Sequence, residues 1–132
     1  MKTTSIAFAA FALAGLVSGC DSEQGQGHEL FMKYCAGCHG ANGDGNGRMA
    51  AQLPKPPADL TILSEVNRGS FPTAYVMETV YGYPGKHSAS IMPEFGPLLS
   101  GPMVGWKDKT GTEVPTPVAL LDLVRYIETL QQ

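Results

Sequence analysis

The stretch "KYCAGCHG", Lys33–Gly40, places two cysteines three positions apart, with a histidine directly after the second. Apart from Cys35 and Cys38, the 132 residues contain one further cysteine, Cys20. Such a pair has three common uses, which are a disulfide, a thioredoxin-type redox pair and part of a zinc site. A redox pair needs a βαβ context, and a structural zinc site needs four ligands. The sequence offers neither buried β-branched strands nor a second cysteine pair, and a disulfide uses only the cysteines.

A fourth use involves every residue of the motif. The order Cys-x-x-Cys-His is the attachment signature of c-type haem. On a helix, residues i and i+3 share one face and lie roughly 5–6 Å apart at Cβ, so two thiols can each add to a vinyl group of one porphyrin. The sequence therefore predicts covalent haem on Cys35 and Cys38, with His39 as the proximal iron ligand.

The first nineteen residues differ in composition from the rest. Lys2 precedes an uncharged apolar run, Ile6–Val17. As a helix this run spans roughly 18 Å, which is short of the roughly 30 Å hydrocarbon core of a bilayer. The pattern is typical of a secretory signal peptide, and an uncleaved anchor is the alternative. We predict that residues 1–19 are removed on export.

The apolar run ends in "LVSGC", which resembles the lipobox of bacterial lipoproteins. Cleavage there leaves Cys20 as the first residue, carrying lipid. A leftover cysteine in an exported chain needs an explanation, and a lipid thioether provides one; ordinary cleavage with a free Cys20 thiol is the alternative. We predict that residues 20–26 are a lipidated cysteine and a polar tether, which anchors the protein to the bacterial cell membrane facing the periplasm.

Four segments in order resemble class I single-haem cytochromes c. They are "GHELFMKYCAGCHG", "PPADL", "MPEFG" and "ALLDLVRYIETL". The resemblance implies an all-α cytochrome c fold over residues 27–132, with three to five helices and long loops wrapped around one covalent haem c. It also implies that Gly27 and Phe31 lie where the first helix crosses the last, with Tyr126 packed against them.

The resemblance also implies a sixth iron ligand. Met92, in "IMPEFG", matches the family's Met-Pro and is the expected distal ligand. The other candidates are Met49, Met77, Met103 and His87. Pro56 or Pro57 matches the family proline whose carbonyl accepts the N–H of the proximal histidine, and the sequence leaves the choice between them open.

Periodicity predicts the helices. A final helix begins with Thr116 as N-cap and Pro117 at the first position, and its apolar stripe is formed by Leu120, Leu123, Val124, Ile127 and Leu130. A short helix is expected in "ADLTILSEVNRG". Another is expected in "PTAYVMETVYG", with Val76, Met77, Val80 and Tyr81 on its inner side. The stretch 96–117 is longer than in the family, and 96–115 within it is expected to be a loop.

These features together predict a single-electron carrier rather than an enzyme. Two axial ligands leave no open iron position, so no small-molecule substrate is expected. Redox proteins, such as membrane respiratory complexes or periplasmic reductases, are the expected partners. The formal charge of −3 and the lack of a basic run argue against nucleic acid. A fixed subunit of a respiratory reductase or oxidase is the main alternative, and a haem enzyme or gas sensor with a vacant sixth position is another.

Overall fold

The computed structural model describes residues 23–82 and 91–132. Within these ranges there are five α-helices, two 3₁₀ turns and one two-stranded antiparallel sheet, so the predicted number of helices, three to five, is confirmed. The predicted signal peptide, Cys20 and His87 lie outside the described residues. The elements are α1 Glu23–Tyr34, α2 Ala36–His39, α3 Leu63–Val66, α4 Thr73–Tyr81, β1 Met103–Lys107, β2 Glu113–Pro117 and α5 Val118–Thr129, with 3₁₀ turns at Ala50–Gln52 and Gly96–Leu98.

The crossing of α1 and α5 forms the centre of the fold, as the resemblance implies. A Cβ atom on Gly27 would lie 2.2 Å from the backbone oxygen of Asp122, so only glycine lets the two backbones approach this closely. One turn further along α1, the ring of fully buried Phe31 packs against Tyr126 with centroids 5.3 Å apart. The close approach and the aromatic contact together fix the angle at which α1 leads into the cysteine motif.

Gly27→Ala should therefore destabilise the protein. The added methyl must push α1 away from α5, and overpacking of this kind costs about 1–3 kcal/mol of unfolding free energy. That corresponds to a fall in thermal midpoint on the order of 10 °C. The control is Gly101→Ala, because a Cβ there meets nothing within 4 Å. Equal midpoints for the two variants would contradict the close crossing.

The two middle helices confirm the sequence prediction. The segment "ADLTILSEVNRG" contains α3, and α4 turns Val76, Met77 and Val80 into the core. Tyr81 is half-buried and packs against the same core. These side chains and the buried stripe on α5 belong to one apolar core, in which α4 and α1 each pack against α5.

The structure corrects the predicted start of the last helix. Thr116 and Pro117 belong to β2, and α5 begins at Val118. The Thr116 hydroxyl donates to the carbonyl of Val114 instead of capping the helix. The N–H of Val118, the first residue of α5, donates to the carbonyl of Pro102 over 2.9 Å. This backbone carbonyl, directly before β1, takes the place of a capping side chain.

The stretch 96–115 is not the loop that the sequence predicts. It contains a 3₁₀ turn followed by a hairpin in which Trp106 pairs with Val114. At the hairpin turn the Asp108 carboxylate accepts hydrogen bonds from the backbone N–H and hydroxyl of Thr110, and these bonds lower the pKa of Asp108. Trp106 packs against the core, and β2 contacts α5.

The N-terminal boundary also differs from the prediction. Helix α1 begins at Glu23, so residues 23–26, predicted as tether, form its first turn. Among the residues that the structure describes, no helix is long and apolar enough to cross a membrane.

Candidate functional site

The cysteine motif forms one continuous helical turn at the end of α1. The N–H of Cys35 donates to the carbonyl of Phe31 over 2.8 Å, and the N–H of His39 donates to the carbonyl of Cys35 over 2.9 Å. The structure therefore places Cys35, Cys38 and His39 in the helical geometry that the sequence analysis assumed. Both cysteines are free thiols, with Cys35 buried and Cys38 half-buried.

Burial keeps the first thiol uncharged. It raises the pKa of Cys35 to about 12, with a further contribution from the charge of nearby Cys38. At neutral pH the Cys35 side chain is therefore a neutral thiol within the apolar core. A neutral thioether to an apolar macrocycle suits this buried position.

The glycine-rich loop after the motif caps α2. The N–H groups of Gly45, Gly47 and Met49 donate to the last three carbonyls of α2, over 2.7, 3.1 and 2.9 Å. A Cβ on Gly47 would lie 2.5 Å from the oxygen of Gly37, so the loop lies directly on the helix backbone. These bonds satisfy carbonyls that a short helix would otherwise leave unpaired. The loop thus holds the histidine-bearing turn rigid.

His39 has its ring oriented by a backbone carbonyl. Its Nδ1 lies 2.9 Å from the carbonyl oxygen of Ala58. A carbonyl only accepts, so Nδ1 carries the proton and Nε2 keeps its lone pair for a metal. The sequence analysis expected the carbonyl of Pro56 or Pro57 to be the acceptor. In the structure the acceptor is the carbonyl of Ala58.

Gly45 packs directly against the segment that carries this acceptor. A Cβ on Gly45 would lie 3.0 Å from the carbonyl oxygen of Pro57 and 3.5 Å from that of Ala58. A side chain at position 45 would therefore crowd the carbonyl that accepts from the histidine ring.

Residues near the C-terminus fix the segment that carries this carbonyl, and the sequence analysis did not identify them. The Gln131 side chain donates to the carbonyl of Leu60 over 2.7 Å, and the N–H of Gln132 donates to the carbonyl of Thr61 over 3.1 Å. Hydrogen bonds from Thr61 lower the pKa of the Asp59 carboxyl and stiffen the turn. Glutamine at a helix end is so common that no sequence signal distinguishes this role.

The candidate sulfur ligands occupy different environments. Met92 is half-buried and packs against the core. Met77 is a core residue of α4. Met49 is 44% exposed, with its sulfur beside Gly37 in the cysteine motif, and Met103 is 54% exposed on β1. Met92 thus differs from the two exposed sulfurs and from the helical core sulfur.

A separate cavity of about 340 Å³ lies between α4, the hairpin and the start of α5. Tyr81, Met103 and Trp106 are among its lining residues, whereas no residue of the cysteine motif lines it. The cavity is therefore distinct from the motif.

Within residues 23–82 and 91–132, no group of three or more His, Cys, Asp or Glu side chains is arranged to hold a metal ion.

The residues of the motif fit a covalent haem. Two free thiols stand on one helical turn, and the adjacent imidazole has one nitrogen committed to a carbonyl and the other available. A family model for cytochrome c matches residues 25–131. The chain belongs to the cytochrome c family. As a member of that family it binds covalent haem c, whose iron supports electron transfer. Comparisons with curated proteins and with solved structures found no match.

Proposed function

We propose that this cytochrome c is a class I single-haem electron carrier. In this proposal Cys35 and Cys38 hold the haem through thioethers, and His39 and Met92 are the axial ligands. The observation that carries the proposal is the hydrogen bond between His39 Nδ1 and the carbonyl of Ala58. The same helical turn carries the two free thiols. Haem supplies an iron that changes between Fe(II) and Fe(III).

Each of these residues has a distinct physical role. The Ala58 carbonyl orients the imidazole and makes its other nitrogen a stronger donor. The Met92 thioether is a soft ligand that favours the reduced state and raises the potential. Cys35, in the core, excludes water from one side of the attachment site. Two axial ligands leave no position for a substrate, which supports a carrier over an enzyme.

The respiratory context extends this proposal. We place the carrier in a periplasmic or other extracytoplasmic respiratory chain, where it exchanges electrons with membrane complexes or periplasmic reductases. The signal-like residues 1–19 and the haem motif support an exported location. A fixed subunit of a reductase or oxidase has the same chemistry, and it would co-purify with its complex whereas a carrier purifies alone.

A redox titration followed by absorbance tests the carrier proposal. Stepwise reduction of the intact protein should give one reversible transition with the slope of a one-electron couple, because one haem exchanges one electron per chain. The oxidised and reduced spectra should interconvert through shared isosbestic points. A two-electron slope, or two separate transitions, would contradict a single-haem carrier.

The lipid anchor is a second part of the proposal, and "LVSGC" supports it. Lipid on Cys20 would hold the domain at the membrane, and two or more acyl chains suffice for stable attachment. Cys20→Ser should abolish incorporation of labelled fatty acid and release the protein from washed membranes. Ser18→Ala, which keeps the cysteine, should retain both. A mature unmutated chain that starts at another residue and carries no lipid would refute the anchor.

A further inference from the structure

The Met92 loop, residues 91–95, is fixed at its C-terminal end by backbone hydrogen bonds. The N–H of Phe95 donates to the carbonyl of Val80, in the last turn of α4, over 2.9 Å. The carbonyl of Phe95 accepts from the N–H of Leu99 over 3.1 Å, and Leu99 is fully buried. The backbone of Phe95 is therefore bonded on both sides to packed parts of the protein.

The Phe95 side chain joins this loop to the helix that carries the cysteine motif. Its ring lies 6.1 Å from the ring of Tyr34, at an interplanar angle of 49°. Tyr34 is the last residue of α1 and directly precedes Cys35. One aromatic contact thus connects the segment that holds Met92 with the segment that holds the first cysteine.

Two glycines let the same loop lie against the end of α4. Gly82 follows α4 with a φ of +77°, and a Cβ there would lie 2.3 Å from a side-chain carbon of Glu94. A Cβ on Gly96 would lie 2.7 Å from the carbonyl oxygen of Tyr81. The loop therefore lies in close contact with the end of α4 at these two points, and motion of Phe95 away from α4 would break that contact.

We propose that Phe95 is a positioning residue for Met92, holding the Met92 loop against α1 and α4 and so slowing dissociation of the thioether from iron. The inference rests on the proposed function, in which Met92 is the distal ligand. Phe95 follows Met92 by three residues, a reach of about 10 Å when fully extended. Pro93 fixes φ within this span, so the Phe95 anchor limits how far the sulfur moves.

Imidazole binding to the oxidised protein measures this role. Imidazole must wait for the thioether to leave, so at high imidazole concentration the observed rate reaches a plateau set by that dissociation. Phe95→Leu and Tyr34→Leu should each raise the plateau rate about two- to tenfold, the range expected for loss of one aromatic pair. The double variant should be no faster than the faster single variant, because both remove the same contact.

Conservative and control variants separate positioning from general loosening. Phe95→Tyr keeps the ring and should keep the plateau rate of the unmutated protein. Phe71→Leu alters another buried phenylalanine, outside the Met92 loop, and should lower the thermal midpoint while leaving the plateau rate unchanged.

If the unmutated protein shows an iron–sulfur absorption band, two results would overturn the inference and leave the proposed Met92 ligand intact. One is a plateau rate that is unchanged in both Phe95→Leu and Tyr34→Leu. The other is a plateau rate that Phe71→Leu raises as much as Phe95→Leu does. If the unmutated protein has no iron–sulfur band and binds imidazole without a plateau, both the proposed Met92 ligand and this inference are overturned.

Discussion

Replacing Cys35 and Cys38 together by alanine is expected to abolish covalent haem attachment. Both thiols lie on one helical turn, and no other described residue of the motif offers a sulfur. Without them the haem is held by axial ligands and packing alone, and it leaves when the chain unfolds. Haem staining after denaturing electrophoresis should fall to background, and intact mass should match the bare polypeptide.

Single variants and the third cysteine provide the controls. Cys35→Ala and Cys38→Ala each keep one possible thioether and should retain part of the stain. Cys20→Ser changes a cysteine outside the motif and should retain all of it. Undiminished stain in the double variant would mean that the haem is attached elsewhere.

Met92→Ala is expected to keep covalent haem while changing its electronic properties. Loss of the thioether should remove the iron–sulfur charge-transfer band at the red edge of the oxidised spectrum. The potential should fall by on the order of 0.2 V, a fraction of the roughly 0.8 V range that axial ligands span. The variant should also bind imidazole without a plateau, since no internal ligand has to leave. Met92→His should restore six-coordination at a lower potential.

Two other methionines test the specificity of this result. Met103 and Met49 are largely exposed, one on the hairpin and one beside the cysteine motif. Met103→Ala and Met49→Ala should leave the band and the potential nearly unchanged. If Met103→Ala lost the band while Met92→Ala kept it, the hairpin would supply the ligand and the match of "IMPEFG" to the family would be wrong.

Features that depend on local spacing could be predicted from the sequence. The cysteine motif requires only that residues i and i+3 share a helical face, which backbone geometry guarantees. The stripe on α5 and the inner face of α4 follow from the 3.6-residue period. The role of Gly27 came from the family resemblance, and the structure supplies its physical cause in the backbone of α5.

Features that depend on contacts between distant segments could not be predicted. The acceptor for His39 is the carbonyl of Ala58, 19 residues away, in a segment that packs against the loop glycine Gly45. Gln131 acts through Leu60, 71 residues away. A search of local sequence patterns has no access to such pairs.

The hairpin did leave a local signal. "MVGWK" and "EVPTP" flank "DKTGT", whose aspartate and glycine suit a tight turn. Proline at positions 115 and 117 argued against a strand. In a two-stranded sheet each strand has an unpaired edge, so β2 tolerates residues without an N–H that would break a central strand.

Exposure of the reduced protein to carbon monoxide tests the central claim most directly. A carrier with both axial positions filled by His39 and Met92 should show sharp low-spin haem bands that carbon monoxide leaves unchanged. The same spectrum reports whether haem is present at all. Bands that shift promptly on addition of carbon monoxide would reveal a vacant or weakly held sixth position, as in a haem enzyme or gas sensor, and would contradict the electron-carrier account.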